Sequence, residues 1–88
     1  MIHSADVVVT NRSGLHARPA AELARLAGGL SSAVTIRSGA KAVNAASVLS
    51  LMAAAIQQGQ TVTVETEGDQ AEADLARVVA AIESGLGE

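Results

Sequence analysis

The sequence predicts a two-layer α/β (α+β) fold, in which three helices cover one face of an open, four-stranded and mainly antiparallel sheet. One observation is that segments of strand period and of helical period succeed each other in the order β-α-β-β-α-β-α. The other is that the strands alternate apolar and polar residues, which is typical of a sheet with one face in water. The 88 residues allow one domain, residues 1–88.

The first strand and the first helix are predicted within the first 30 residues. Val7 and Val9 have the period of two of a strand, and residues 11–14 form a loop. From about Ala17 the period becomes helical, and the helix ends at Gly28-Gly29. Its apolar stripe consists of Ala20, Leu23, Ala27 and Leu30.

A hairpin follows this helix. Val34 and Ile36 lie on one face of its first strand. Ser38-Gly39 forms the turn, and residues 41–43 form the returning strand.

The next helix is short. Asn44 and Ser47 are both candidate N-caps, and the apolar residues of this helix run from Val48 to Ile56. Gly59 breaks the helix ahead of a strand at residues 61–66.

The last helix begins after Gly68-Asp69. Asp69 and Glu72 have the spacing of a capping box, in which two side chains satisfy unpaired N–H groups. Gly85 ends this helix, whose apolar stripe is Ala71, Leu75, Val78, Val79 and Ile82.

The composition excludes several classes of function. With no Cys and two His, the chain has no Cys-ligated metal and no thiol nucleophile, and no metal or cofactor is expected. The absence of aromatic residues removes the stacking platforms of single-strand nucleic-acid binders, and the net charge of −3 argues against DNA or an anionic membrane as partner. No apolar segment approaches the roughly 20 residues of a membrane span, and no targeting segment is apparent. We expect a cytoplasmic monomer.

One segment carries candidate chemistry, where a loop enters the first helix. His16 lies at the helix N-terminus, whose unpaired N–H groups and positive dipole end bind phosphate. Arg18 adds a permanent charge suited to phosphate oxygens, although its place before Pro19 predicts incomplete helical geometry. Gly14 allows a tight loop. The segment suits a histidine that accepts a phosphoryl group and passes it on; the alternative is an ordinary solvated cap. His3 has no such surroundings and is expected to be inert.

Two motifs carry a resemblance to a known family. Residues 14–20, Gly-Leu-His-Ala-Arg-Pro-Ala, are similar to the active-site signature of HPr, the histidine-containing phosphocarrier family of the bacterial phosphoenolpyruvate-dependent sugar phosphotransferase system. Residues 43–49, Val-Asn-Ala-Ala-Ser-Val-Leu, resemble the second signature of that family, around a regulatory serine. The length and the order of elements also match, so the resemblance covers nearly the whole chain.

The resemblance implies a mechanism. Enzyme I, charged from phosphoenolpyruvate, would phosphorylate His16 on Nδ1, and the group would then pass to an enzyme IIA of a sugar transporter. Arg18 would assist the phosphoryl group, with the loop and helix start at Ser13, Gly14 and Ala17. Small-molecule enzymes usually have a deep apolar pocket, often of roughly 300 Å³ or more, and so small a chain is expected to have little room for one. We therefore expect a carrier rather than a turnover enzyme.

The resemblance also implies a regulatory site. Ser47 matches the serine that an ATP-dependent kinase phosphorylates in some bacteria, and a serine kinase/phosphorylase is a possible partner. A phosphate there would add negative charge to the docking face. The alternatives are a plain helix cap at Ser47 or a purely regulatory binding module, and the retained His16 argues against the latter.

The chain departs from the family in its expected docking surface. Many members have a Phe and several Lys there, whereas this chain has no Phe and only Lys41. Only Arg18 and Arg25 are expected to flank His16, so steering toward an acidic partner is expected to be weaker. The partner system stays open between a general sugar chain, a nitrogen-related chain and a dihydroxyacetone chain. The expected exposed apolar residues are Ala17, Ala21, Val48, Leu49 and Met52.

Overall fold

The computed structural model describes residues 1–88 and confirms the predicted order of elements. Four strands form one sheet in the order β1-β4-β2-β3, and every neighbouring pair is antiparallel. The predicted fold class is therefore confirmed. The elements are β1 Ile2–Val8, α1 Ala17–Gly28, β2 Ala33–Ser38, β3 Lys41–Asn44, α2 Val48–Ala53, β4 Thr61–Glu67 and α3 Ala71–Glu83.

The two faces of the sheet differ as the alternation predicts. The inward face is buried, with Val7 opposite Val62 and Ile36 opposite Val64. The outward face is mainly polar, although Ile2 and Val8 are exposed on it, and its Thr63 hydroxyl donates to Asp6 at 2.6 Å. All three helices pack on the inward face, with α1 contacting both α2 and α3. None of them has the length and apolar character needed to cross a membrane.

The second helix is shorter than its apolar pattern predicts. It ends at Ala53, and Ala55 takes a left-handed conformation with φ of 54°. Ile56 therefore lies beyond the helix, yet its side chain is buried in the core. The turn matters for the site because it brings the Ile56 carbonyl to the N–H of Leu15, at 2.9 Å.

The predicted capping box of α3 is wrong. The N-cap is Gln70, and no side chain caps this helix. The N–H of Ala71 donates instead to the Gly68 carbonyl at 3.2 Å, so a tight backbone turn leaves Asp69 outside the helix start. The first turn of α3 contains Asp74, which is buried and accepts hydrogen bonds from the Ser32 hydroxyl at 2.6 Å and the Ser32 N–H at 3.2 Å.

Candidate functional site

Backbone hydrogen bonds hold the loop between β1 and α1 at both of its ends. At its start, the N–H of Val9 donates to the Gln60 carbonyl at 2.9 Å. At its end, the N–H of Leu15 donates to Ile56, and the Leu15 side chain is buried. Between them, the buried Asn11 side-chain amide donates to the Gly14 carbonyl. These contacts fix the position of the loop, so that His16 at its end is held in a defined place.

His16 lies at the position that the sequence predicts. It is the N-cap of α1, with an extended backbone and an exposed side chain that makes no capping hydrogen bond. Its carbonyl accepts from the N–H of Ala20 at 2.8 Å. The N–H groups of Ala17 and Arg18 have no partner in the protein, and Pro19 has no N–H. The free imidazole therefore lies beside two unused donors at the positive end of the helix dipole.

The arginines are arranged differently from expectation. Arg18 is within α1 and exposed, so its place before Pro19 does not delay the helix. Arg12, which the sequence did not single out, lines the same surface depression as His16. Arg25 is paired with Glu22 at 2.6 Å and lines a groove between α1 and α3, so the expectation that it flanks His16 is wrong. Arg25 lies nine residues along the helix from His16, which is roughly 13 Å of axial rise.

The depression beside His16 has a volume of about 630 Å³ and is open to solvent. It is an open surface depression with a mixed polar and apolar lining rather than the deep apolar pocket of a small-molecule enzyme. No three His, Cys, Asp or Glu side chains lie close enough together to hold a metal ion. The lining residues are Arg12, Ser13, Leu15, His16, Met52, Ala55, Ile56, Gln57 and Gln58.

Ser13 lies beside His16, as predicted, but its donors are already engaged. Its hydroxyl donates to Glu88 at 2.7 Å, and its N–H donates to the same carboxylate at 3.4 Å. The pKa of Glu88 is lowered, first by the Ser13 hydroxyl, while the Ser13 N–H, the side chain of Asn11 and the charge of Arg18 act in the same direction. Sequence reasoning missed Glu88, because no local pattern connects residues 75 positions apart.

The lowered pKa predicts how the contact between Ser13 and Glu88 depends on pH. The contact should be complete above the ordinary range of a glutamate, about pH 4.3. It should be lost only as the pH falls through the lower pKa of the folded state, since a carboxylate stabilised by folding loses that contribution on protonation. The Ser13 amide resonance in an NMR titration reports the transition. A midpoint at or above the ordinary value, or the same transition in Glu88→Gln, would contradict the contact.

The second helix carries the other predicted residues. Ser47 is its N-cap, and its hydroxyl oxygen accepts from the N–H of Ser50 at 3.2 Å. Leu49 is 80% exposed, Met52 and Val48 are half-buried against the core, and Leu51 is buried as core. On α1, Ala17 and Ala21 are exposed. The other histidine, His3, lies in β1 opposite Thr66, within the sheet.

Ser47→Ala is expected to lower the free energy of unfolding by about 1 kcal/mol, because the N–H of Ser50 loses its capping acceptor. Urea unfolding followed by circular dichroism measures the change. Ser50→Ala is the matched control, since it removes a hydroxyl from the same helix and keeps that N–H. Equal losses in the two variants would show that the cap contributes nothing.

The family model described as "PTS HPr component phosphorylation site" matches residues 3–84. A phosphocarrier protein HPr of Haemophilus influenzae is 35% identical over 92% of this chain and 95% of its own length. A phosphocarrier protein NPr of Shewanella violacea is 38% identical over 94% of this chain and 91% of its own.

A solved structure agrees with this match. A crystal structure of HPr from Thermoanaerobacter tengcongensis superposes with a TM-score of 0.92, at 36% identity over 98% of this chain and 97% of that one. The likeness extends over nearly the full length of both chains, and the matched residues include the helix start at His16. The chain therefore belongs to the HPr family of phosphocarriers of the phosphotransferase system.

Proposed function

We propose that this chain, as one carrier domain of residues 1–88, accepts a phosphoryl group from phospho-enzyme I on Nδ1 of His16 and donates it to an enzyme IIA of a sugar phosphotransferase system. The observation that carries the proposal is the free imidazole beside two unpartnered N–H groups, those of Ala17 and Arg18. A helix start of this kind stabilises an anion without enclosing it.

The bond-making step of the transfer needs one free ring nitrogen on this chain as the nucleophile. The lone pair of Nδ1 attacks the phosphorus of the donor phosphohistidine, a new N–P bond forms, and the donor N–P bond breaks with its electron pair returning to the donor imidazole. The second transfer repeats the exchange with His16 as the leaving imidazole. A phosphoryl group is transferred through a loose transition state. Positioning of the reactants and stabilisation of the phosphoryl charge therefore account for most of the catalysis.

The neighbouring groups have distinct roles in this proposal. The N–H groups of Ala17 and Arg18 donate to the phosphoryl oxygens, and the Arg18 guanidinium offsets their charge. Gly14 shapes the loop. Arg12 adds a cation that lines the depression itself, which the sequence alone did not indicate. Because His16, Ala17 and Arg18 are exposed, a partner can reach the phosphoryl group and remove it.

The docking surface is proposed to lie along α1 and α2. Leu49 is the most exposed large apolar residue of α2, and Met52 lines the depression beside His16. Ala21 and Val48 extend the surface, while Arg25 would lie at its margin, paired with Glu22. Flexible aliphatic contact suits a surface that must fit two partners in turn.

The test uses purified enzyme I, phosphoenolpyruvate labelled on phosphorus, and this chain. One phosphoryl group per chain is expected, labile in acid and stable in alkali, and it should leave the chain when an enzyme IIA is added. Absence of label, or label that survives acid, would overturn the proposal. Wild-type chain without enzyme I is the blank.

Three alternatives to a sugar carrier remain, of which the nitrogen-related chain and the regulatory module each have an observation in their favour. The NPr relative supports a nitrogen-related chain, which differs from the sugar chain only in the partners; labelling rates with the enzyme I of each system decide between them. A carrier in a dihydroxyacetone chain is another alternative, and transfer of the label to an acceptor protein of that system would test it.

A regulatory module would use Ser47, a half-buried residue that is the N-cap of α2. Phosphoserine formed with ATP and a serine kinase would support that role. A cytoplasmic, monomeric state stays a prediction.

A further inference from the structure

Met52 is one of only two sulfur-containing residues in the chain, the other being Met1. The chain has no Cys, Trp or Tyr, so no thiol or electron-rich aromatic ring competes with these two residues for an oxidant. A thioether is oxidised reversibly to a sulfoxide, which turns a flexible apolar side chain into a polar one. Oxidation of this chain is therefore expected first at two positions, and the surroundings of these positions differ.

Met52 lies between the hydrophobic core and the depression that contains His16. It is in the last turn of α2 and is half-buried against the core. It also lines the open depression, where solvent reaches it. Its carbonyl accepts from the N–H of Ala55 at 3.1 Å, so the left-handed turn after α2 holds the Met52 backbone in place. A small oxidant can therefore reach this side chain in the folded protein, and the product stays beside His16.

Met1 provides an internal reference for Met52. It is 88% exposed and precedes β1, whereas the loop of His16 follows that strand. The length of a seven-residue strand, roughly 23 Å, therefore separates Met1 from the loop. An oxygen atom added to Met1 should leave the surface around His16 unchanged.

We propose that Met52 is a redox-sensitive modification site, at which a hydroperoxide forms a sulfoxide that weakens the docking of protein partners beside His16. The inference rests on the proposed function, which places Met52 in the docking surface. The sulfoxide oxygen is a hydrogen-bond acceptor, and an apolar partner surface facing Leu49 and Met52 offers it no donor. Oxidation would therefore slow the exchange of phosphoryl groups with partners and leave the imidazole itself intact.

The oxidation step balances with hydrogen peroxide as the oxidant. The lone pair of the Met52 sulfur attacks one peroxide oxygen, an S–O bond forms, and the O–O bond breaks with its electron pair on the departing oxygen. The proton of the transferred oxygen moves to that departing hydroxide, and water is released. Sulfur is oxidised from thioether to sulfoxide, and peroxide is reduced to water.

The experiment treats the folded wild-type chain with hydrogen peroxide and compares it with the same chain before treatment. Mass spectrometry of tryptic fragments locates the added oxygen, because Met1 falls in residues 1–12 and Met52 in residues 42–77. Labelling by enzyme I and phosphoenolpyruvate then gives KM and kcat for the chain as substrate. KM is expected to rise roughly tenfold with kcat little changed, the size expected when one polar group is buried without a hydrogen-bond partner.

Two variants and one chemical reaction separate docking from damage. Met52→Leu keeps an apolar side chain without sulfur, so peroxide should not change its KM, whatever the starting value. Met52→Gln has a polar side chain of similar length and should have a raised KM without peroxide. Phosphoramidate should load His16 equally fast before and after peroxide; in that reaction the N–P bond of the reagent breaks, ammonia leaves, and a new N–P bond forms on the imidazole. Methionine sulfoxide reductases should restore the KM of the oxidised wild type.

The treated samples decide the proposal. A rise of KM that is absent in Met52→Leu and reversed by the reductases supports it. Complete sulfoxide at Met52 with an unchanged KM overturns it, as does reaction of peroxide at Met1 alone. An equal rise of KM in Met52→Leu also overturns it, since the oxidised group would then lie elsewhere. Failure of the untreated chain to accept label from enzyme I would instead overturn the proposed function, and this inference with it.

Discussion

Replacing His16 with alanine is expected to abolish acid-labile phosphorylation, a loss of about 10³-fold or more, as for removal of other covalent nucleophiles. The reason is geometric, since no other imidazole lies at this helix start. The fold should survive, because the His16 side chain is exposed and caps nothing. Labelling with enzyme I and phosphoenolpyruvate measures the loss, and circular dichroism checks the fold.

The second histidine provides the matched control. His3→Ala removes the same ring from β1, where His3 is paired with Thr66 of the neighbouring strand β4. This variant should accept label like the wild type. Label that persists in His16→Ala would move the carrier function to another residue. Label lost equally in both variants would point to damage to the fold rather than to the loss of the nucleophile.

Replacing Gly14 with alanine is expected to lower the free energy of unfolding by about 3 kcal/mol. Two costs combine. Gly14 has φ of 64°, a conformation that disfavours any residue with a Cβ. That Cβ would also overlap the Ile56 carbonyl oxygen and lie 2.8 Å from the Cα of Gln57, and both are backbone atoms that cannot rotate away. The loop would have to shift, so phosphoryl acceptance by His16 should fall as well.

Gly39→Ala separates these two costs. Gly39 has nearly the same φ, 60°, in the hairpin turn, but nothing lies within 4 Å of an added Cβ. Gly39→Ala should lower the free energy of unfolding by only about 1 kcal/mol, because it carries the conformational cost and no steric overlap. Urea unfolding of both variants makes the comparison. Equal losses would show that the close approach between the loop and residues 56–57 costs nothing.

Much of the fold was predictable because its signals are local. The period-two segment with Val62 and Val64 became strand β4 with its apolar side buried, and Gly28-Gly29 ended α1. The hairpin turn followed from Gly39, which supplies the positive φ. Errors arose where local signals competed. Asp69 has the spacing of a capping box, yet the turn at Gly68 starts α3 without it.

The residues at the centre of the site were predictable too, because they are close together in the sequence. His16, the donors that follow it and Arg18 occupy one loop-to-helix junction, so their order along the chain already specifies their geometry. Their neighbours were not predictable in the same way. Arg12 reaches the depression only because the loop folds back over residues 56–58. Arg25, although on the same helix as Arg18, pairs with Glu22 away from the site.

The amino-acid sequence alone was sufficient for the fold class, the exposed histidine at a helix start and the family. Each depends on residues within a few positions of one another, whose periods, turns and caps follow from local backbone physics. Only the tertiary structure placed Glu88 on Ser13, and Ile56 against Gly14 and Leu15. Those contacts depend on how buried residues such as Leu86 pack in three dimensions, which no short stretch of sequence encodes.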